Sequence, residues 1–162
     1  MKGVFLGLVC FLLLIGFVDA ANCGGAVRCN CGDTLTSSQV MWYDITNCPP
    51  GLHGILINGD DITLDCNGYT IDGVGHPSYN GITTFNPNIN IKNCIIQEWG
   101  KGINLYQGSN HLIEKNTLFN NGIGVKVLSG VQNNTISDNN FTNNGINAHE
   151  DSNNNNWNIT GI

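Results

Sequence analysis

The side chains able to do chemistry in this chain are few and widely spaced. Its densest acids, Asp60, Asp61, Asp65 and Asp72, fall in one short stretch, while the single arginine, Arg28, stands well upstream. Removing a proton from a sugar needs a base close to carboxylates that hold a cation, and glycoside hydrolysis needs two carboxyl groups about 5–10 Å apart across the bond. Neither arrangement follows from these spacings. One column in step with an internal repeat reads Asp65, Lys92, Glu114, Ser137. Alternating signs predict a surface charge ladder, each cross-strand pair contributing about 0.2–1 kcal/mol. A carboxylate beside a lysine stays ionised and is a poor general acid. No catalytic residue is nominated, and no cofactor is expected.

Metal chemistry fares similarly. His53, His76, His111 and His149 fall in different units and form no His-x-His or His-x3-His pair. A transition-metal site needs imidazole, thiolate or thioether ligands close together. Cys10 lies in the N-terminal apolar stretch, which leaves Cys23, Cys29, Cys31, Cys48, Cys66 and Cys94. An even number in an exported chain predicts disulfides in preference to a metal site. Six cysteines allow fifteen connectivities. Proximity suggests Cys23 with Cys29, Cys31 with Cys48, and Cys66 with Cys94 on successive turns, where strand spacing suits a disulfide.

Recognition is the better-supported chemistry. If Ile82 and Thr84, Ile103 and Leu105, Val125 and Val127, and Ile146 and Ala148 point inward, strand alternation turns the residues between them outward. One position further on, the outward column reads Phe85, Tyr106, Leu128, His149, with Asn104, Lys126 and Asn147 beside it. Flat rings at strand spacing can lie against the apolar faces of sugars while the polar side chains reach hydroxyls. Phe85, Tyr106, Asn104, Lys126 and His149 are therefore the expected carbohydrate contacts.

Such a column requires a regular stack of strands, and the chain carries one. Gly81-Ile82, Gly102-Ile103, Gly124-Val125 and Gly145-Ile146 recur at spacings of 21, 22 and 21 residues. Second runs follow at Ile89-Asn90-Ile91, Leu112-Ile113-Glu114 and Asn134-Thr135-Ile136. Apolar and polar residues alternate in these runs, as in half-buried strands, and a period in the low twenties predicts a solenoid. A looser copy, Gly54 to Ile57 with Ile62 to Leu64, precedes Gly81 by 27 residues because Gly73 to Tyr79 is inserted. Asn116 and Asn139, with Cys94 at the matching place one turn earlier, predict an internal amide ladder, since stacked Asn side chains can bond the turns above and below.

The organisation predicted is a signal segment over residues 1–20, a disulfide-rich cap over 21–53 and repeats over 54–162. Lys2, the apolar stretch Val4 to Val18 and Val18-Asp19-Ala20 have the pattern of a cleavable secretory signal. The expected location is secreted, periplasmic or cell-surface, with no membrane contact after cleavage. Formal net charge is −6, and losing Lys2 and Asp19 leaves it unchanged. An acidic chain with scattered cations lacks the basic patch that nucleic acid requires. Sequons at Asn133, Asn140 and Asn158 mark candidate glycosylation sites. The final run, Trp157 to Ile162, reads as part of another turn, so further turns or self-association are expected at that edge.

The run from Ile62 to Ile71, with Ile89-Asn90-Ile91-Lys92-Asn93-Cys94 and the Gly-Ile units, resembles the parallel β-helix repeats of the pectin-lyase-like superfamily, in particular the NosD-like, copper-maturation-type branch. The resemblance covers roughly Gly54 to Gly145. It implies an all-β, right-handed, single-stranded parallel β-helix with turns of about 21–22 residues. It is specific for fold and weak for function, because this architecture hosts lyases, hydrolases, adhesins and modules without known activity. It supplies no metal-ligand set for these residues. The function expected is an exported module that binds polysaccharide or glycan. The alternatives are the front of a polysaccharide lyase or glycoside hydrolase, and a structural or adhesive spacer.

Overall fold

The computed structural model describes residues 21–151 and 153–158. The signal expected at 1–20 and the last residues of the Asn158 sequon lie outside them. The chain coils through parallel turns. β1 (Asn22–Cys23) pairs on the edge of the first full turn, which holds β2 (Asp33–Leu35) and β3 (Gln39–Val40), and the second holds β4 (Ile55–Ile57), β5 (Thr63–Asp65) and β6 (Thr70–Asp72). Next come β7 (Asn80–Thr84), β8 (Asn90–Lys92) and β9 (Ile95–Gln97), then β10 (Lys101–Leu105), β11 (Leu112–Glu114) and β12 (Thr117–Phe119). The last strands are β13 (Ile123–Val127), β14 (Thr135–Ser137), β15 (Asn140–Thr142), β16 (Ile146–Glu150) and β17 (Asn156–Asn158).

These strands stack into three parallel sheets. The first runs β1-β2-β4-β7-β10-β13-β16, the second β3-β5-β8-β11-β14-β17, and the third β6-β9-β12-β15. Each three-residue strand of the second and third sheets sends its middle residue inward. Leu64, Ile91, Ile113 and Ile136 line the core from one sheet, and Ile71, Ile96, Leu118 and Phe141 from the other. The longer strands of the first sheet contribute two lines, Ile55-Ile82-Ile103-Val125 and Ile57-Thr84-Leu105-Val127. The repeating glycine before the first line has a steric cause. A Cβ on Gly102 would lie 2.8 Å from the Gly124 carbonyl oxygen and 2.9 Å from Leu118, so the turns could not close at their spacing.

Three corners connect the sheets, and all follow one rule. A left-handed residue turns the chain, and the next side chain points inward. Asn88, Asn110 and Asn133 precede Ile89, His111 and Asn134; Asn93, Lys115 and Asp138 precede Cys94, Asn116 and Asn139; Glu98, Asn120 and Asn143 precede Trp99, Asn121 and Asn144. Asparagine dominates because it tolerates positive φ better than other side chains that carry a Cβ.

The inward corner residues form ladders. Asn116 Nδ2 donates to Asn139 Oδ1 (3.0 Å) and to the Ile91 carbonyl (2.9 Å), while Asn116 Oδ1 accepts the Cys94 amide (2.9 Å). This is the ladder expected from sequence. Two more stand at the other corners. Asn121 and Asn144 form one, in which Trp99 Nε1 donates to the Ile71 carbonyl as Asn121 Nδ2 does to Ile96 one turn later. His111, Asn134 and Asn155 form the other.

The segment expected to act only as a cap also supplies a turn. Leu35, Met41 and Ile45 point into the core, β2 and β3 join the first two sheets, and Ile45 bridges to Ile71 beside the third. Its short, irregular strands hide that repeat from sequence. Disulfides join Cys23–Cys29, Cys31–Cys48 and Cys66–Cys94. The last stands at the head of the Asn116–Asn139 ladder and replaces amide stacking with a covalent link between turns.

The register of the last turn departs from expectation. Val125 pairs with Ala148, so Gly145 stacks on Gly122 and the final period is 23 residues. Gly122-Ile123-Gly124-Val125 offers two registers to Gly145-Ile146. The one adopted places Asn144 on Asn121 and Asn139 on Asn116, which completes two buried ladders. Its consequence is that Ile146, expected inside, points outward and is 47% exposed.

Candidate functional site

The outer face of the first sheet carries the expected contact residues. Strand register aligns Thr34, Leu56, Thr83, Asn104, Lys126 and His149 in one column. The backbone amides of Phe85, Tyr106, Leu128 and Asp151 each bond the turn before, on Ile57, Thr84, Leu105 and Val127, so these four form the neighbouring column. Phe85 and Tyr106 stack as expected. His149 does not join them, because the shifted register moves it beside Lys126 and puts Asp151 in its place.

Phe85 and Tyr106 have ring centroids 5.6 Å apart and planes inclined at 59°. Tyr106 is 46% exposed and Phe85 half-buried. A groove of about 510 Å³ opens beside them, lined by Thr34, Leu56, Asn58, Phe85, Asn86 and Gln107. One wall is apolar, and the others offer three amides, Asn58, Asn86 and Gln107, and the Thr34 hydroxyl. Asn86 Nδ2 is held by Asp60 Oδ1 at 2.8 Å, which leaves its carbonyl side for a ligand.

Lys126 is engaged. Its Nζ donates to His149 Nδ1 (2.5 Å) and Asp151 Oδ1 (2.6 Å), and that hydrogen bond holds Asp151 below the usual carboxylate range. Asn104 is buried in the floor, with Oδ1 unpartnered. The charge ladder takes the expected register, Asp65 to Lys92 to Glu114 to Ser137, with Lys92 Nζ 3.5 Å from Asp65. Burial opposes the charge on Asp65, but hydrogen bonds from Asn93 and the Asn67 amide, together with Lys92, outweigh it and lower its pKa. Asn133 is exposed at a turn, and Asn140 and Asn158 are exposed on β15 and β17.

Sequence reasoning passed over the first residue of each long strand in the first sheet. Asn80, Lys101, Ile123 and Ile146 form a second outward column, three residues ahead of the Thr83–His149 one. No local signal marks it, because this residue precedes a glycine in three units and follows Gly145 in the last. The Asn80 amide donates to His53 Nδ1 (2.9 Å), and Tyr79 meets the His53 ring edge to face at 5.7 Å.

With this geometry in hand, comparison with known proteins places the fold. A family model described as "Periplasmic copper-binding protein (NosD)" matches residues 54–162, more than half of the chain. The chain belongs to the NosD family. No curated protein and no solved structure matches it. NosD membership agrees with the parallel solenoid and associates the chain with a periplasmic family.

The copper in the NosD description finds no fitting donor set among the described residues. All six cysteines there are in disulfides, and Met41 is buried in the core. His53 Nδ1 and His76 Nδ1 accept backbone amides, His111 has both ring nitrogens engaged inside the solenoid, and His149 Nδ1 faces the Lys126 ammonium. No cluster of three or more His, Cys, Asp or Glu side chains suited to a metal occurs among the described residues. Copper binding by this NosD-family chain has no ligand basis in that part of the molecule.

Proposed function

We propose that this NosD-family chain is an exported module that binds glycan along the outer face of its first sheet. The observation that carries this reading is the groove lined by Phe85, whose ring packs at a tilt against Tyr106, beside three amides and a hydroxyl. Sugar rings present alternating apolar C–H faces and hydroxyl edges, so an apolar wall beside polar groups matches them without a deep pocket. A solenoid repeats its surface every strand spacing, about 4.8 Å, which suits an extended polymer better than a single small ligand.

Binding to a glycan array by the wild-type protein, compared with Phe85→Ala and Tyr106→Ala, tests the proposal. Each ring loss is expected to weaken binding about tenfold, and the double variant more, with the circular dichroism spectrum unchanged. A folded wild-type sample that binds no arrayed glycan overturns the reading.

A further inference from the structure

The middle of this outer face holds polar groups that the fold itself does not use. Asn80 and Asn104 lie on adjacent strands, β7 and β10, and are 7% and 5% exposed. The carbonyl oxygen of each side chain is buried without a hydrogen-bond partner. Thr83 joins them: it accepts a hydrogen bond from Asn80 Nδ2 (3.1 Å) and pairs in register with Asn104. Buried acceptors without partners are costly, about 1–3 kcal/mol each, and native folds rarely keep them without a reason. The Asn104 amide, whose oxygen bonds nothing, can rotate about its last torsion and turn that oxygen toward a ligand at little cost, while the Asn80 amide is held in place by its Nδ2 bond to Thr83.

Charge selects the ligand further. Lys101 pairs in register with Asn80, and no ion pair among the described residues involves it. The other described cations are committed or distant. Lys92 and Lys126 face carboxylates, Arg28 lies over the Tyr43 ring, and Lys115 stands at the corner between the other two sheets. His53 neighbours Lys101 closely enough that the lysine's charge helps lower its pKa, although burial is the larger cause. A free ammonium, orphaned acceptors and a threonine hydroxyl, in a protein of net charge −6, form a local site for a ligand that combines hydroxyl donors with an anionic group.

We infer that Asn80, Thr83, Lys101 and Asn104 form an anchoring subsite for an acidic glycan, with Lys101 taking the carboxylate or sulfate and the two amides taking hydroxyls. This rests on the glycan reading above and names its substrate class. The register is consistent with one continuous path, because Leu56 of the Phe85 groove pairs with Thr83 of the subsite.

Calorimetric titration with alginate, dextran sulfate and uncharged dextran, alongside the array, tests the inference on wild type, Lys101→Gln, Asn104→Leu and the control Lys115→Gln. The expected result is at least tenfold preference for an anionic polymer, lost in Lys101→Gln, weakened in Asn104→Leu and kept in Lys115→Gln. Which anionic polymer binds tells carboxylate from sulfate. Equal binding of charged and uncharged glycans, or equal weakening by Lys101→Gln and Lys115→Gln, overturns the acidic subsite and leaves the glycan reading standing. Absence of any glycan binding overturns both.

Discussion

His111 shows how one residue can depart from a structural rule and acquire a property from doing so. Its neighbours in the same corner column are Asn134 and Asn155, whose amides meet at 2.7 Å, and His111 takes the same place with an imidazole. Nδ1 accepts the Ile89 amide, so the neutral ring carries its proton on Nε2 and donates to the Gln107 carbonyl. Burial pushes its pKa below the ordinary value near 6.5. A histidine depressed in the fold binds more protons when unfolded, so its contribution to stability is complete above about pH 6.5 and declines as pH falls below that value. His53 shifts the same way. The urea midpoint is therefore expected to drop between pH 7.5 and pH 5, a window above the titration of Asp65 and Asp151, which are both held low. His111→Asn, which restores the ladder residue, is expected to remove much of that drop. An unchanged pH dependence in the variant would exclude His111 as its source.

At the scale of the element, the corner is the unit that holds the turns in place. Strand pairs supply backbone bonds between turns, but each corner must also satisfy carbonyls and amides that strand pairing leaves over, and the inward asparagines do this. Replacing Asn116 with Leu leaves the Cys94 amide unpaired in the interior and removes the bonds to the Ile91 carbonyl and to Asn139. At about 1–3 kcal/mol for each buried group, a loss of about 3 kcal/mol is expected by equilibrium unfolding. The exposed Asn154→Ala is expected to stay within about 0.5 kcal/mol. Similar losses in both would mean that the ladder is a packing coincidence. Asn116 and Asn139 were legible in the sequence because they keep step with the glycines. Asn121 and Asn144 were hidden by the surrounding asparagines, since composition does not distinguish an inward amide from the left-handed one beside it.

The whole molecule behaves as a one-dimensional stack in which each turn contacts only its neighbours. The three disulfides are all confined to the N-terminal part, the last of them at Cys66–Cys94. Reduction is accordingly expected to raise hydrogen exchange mainly before Cys94 and leave β10 to β14 protected, as read by mass spectrometry. A uniform rise along the chain would show that the solenoid unfolds as one cooperative block. The insertion at Gly73 to Tyr79 also belongs to this scale. It is pinned to the turn above by the Gly75 amide on the Glu98 carbonyl and the Gly100 amide on the Tyr79 carbonyl, and it carries Tyr79 to His53 at the border of the inferred subsite.

The sequence alone determined the parallel solenoid, the inward lines of Ile, Leu and Val, and the order of the charge ladder. Each follows from alternation and period, which are local properties repeated many times. Tertiary structure decided what repetition leaves ambiguous. Gly122-Ile123-Gly124-Val125 accommodates two registers, and only the closing of buried amide ladders selects one, which moves His149 from the Tyr106 column to Lys126. The same is true of Asn80 and Lys101. Nothing in their local pattern distinguishes them, and they become a site only because neighbouring turns bury one beside the other.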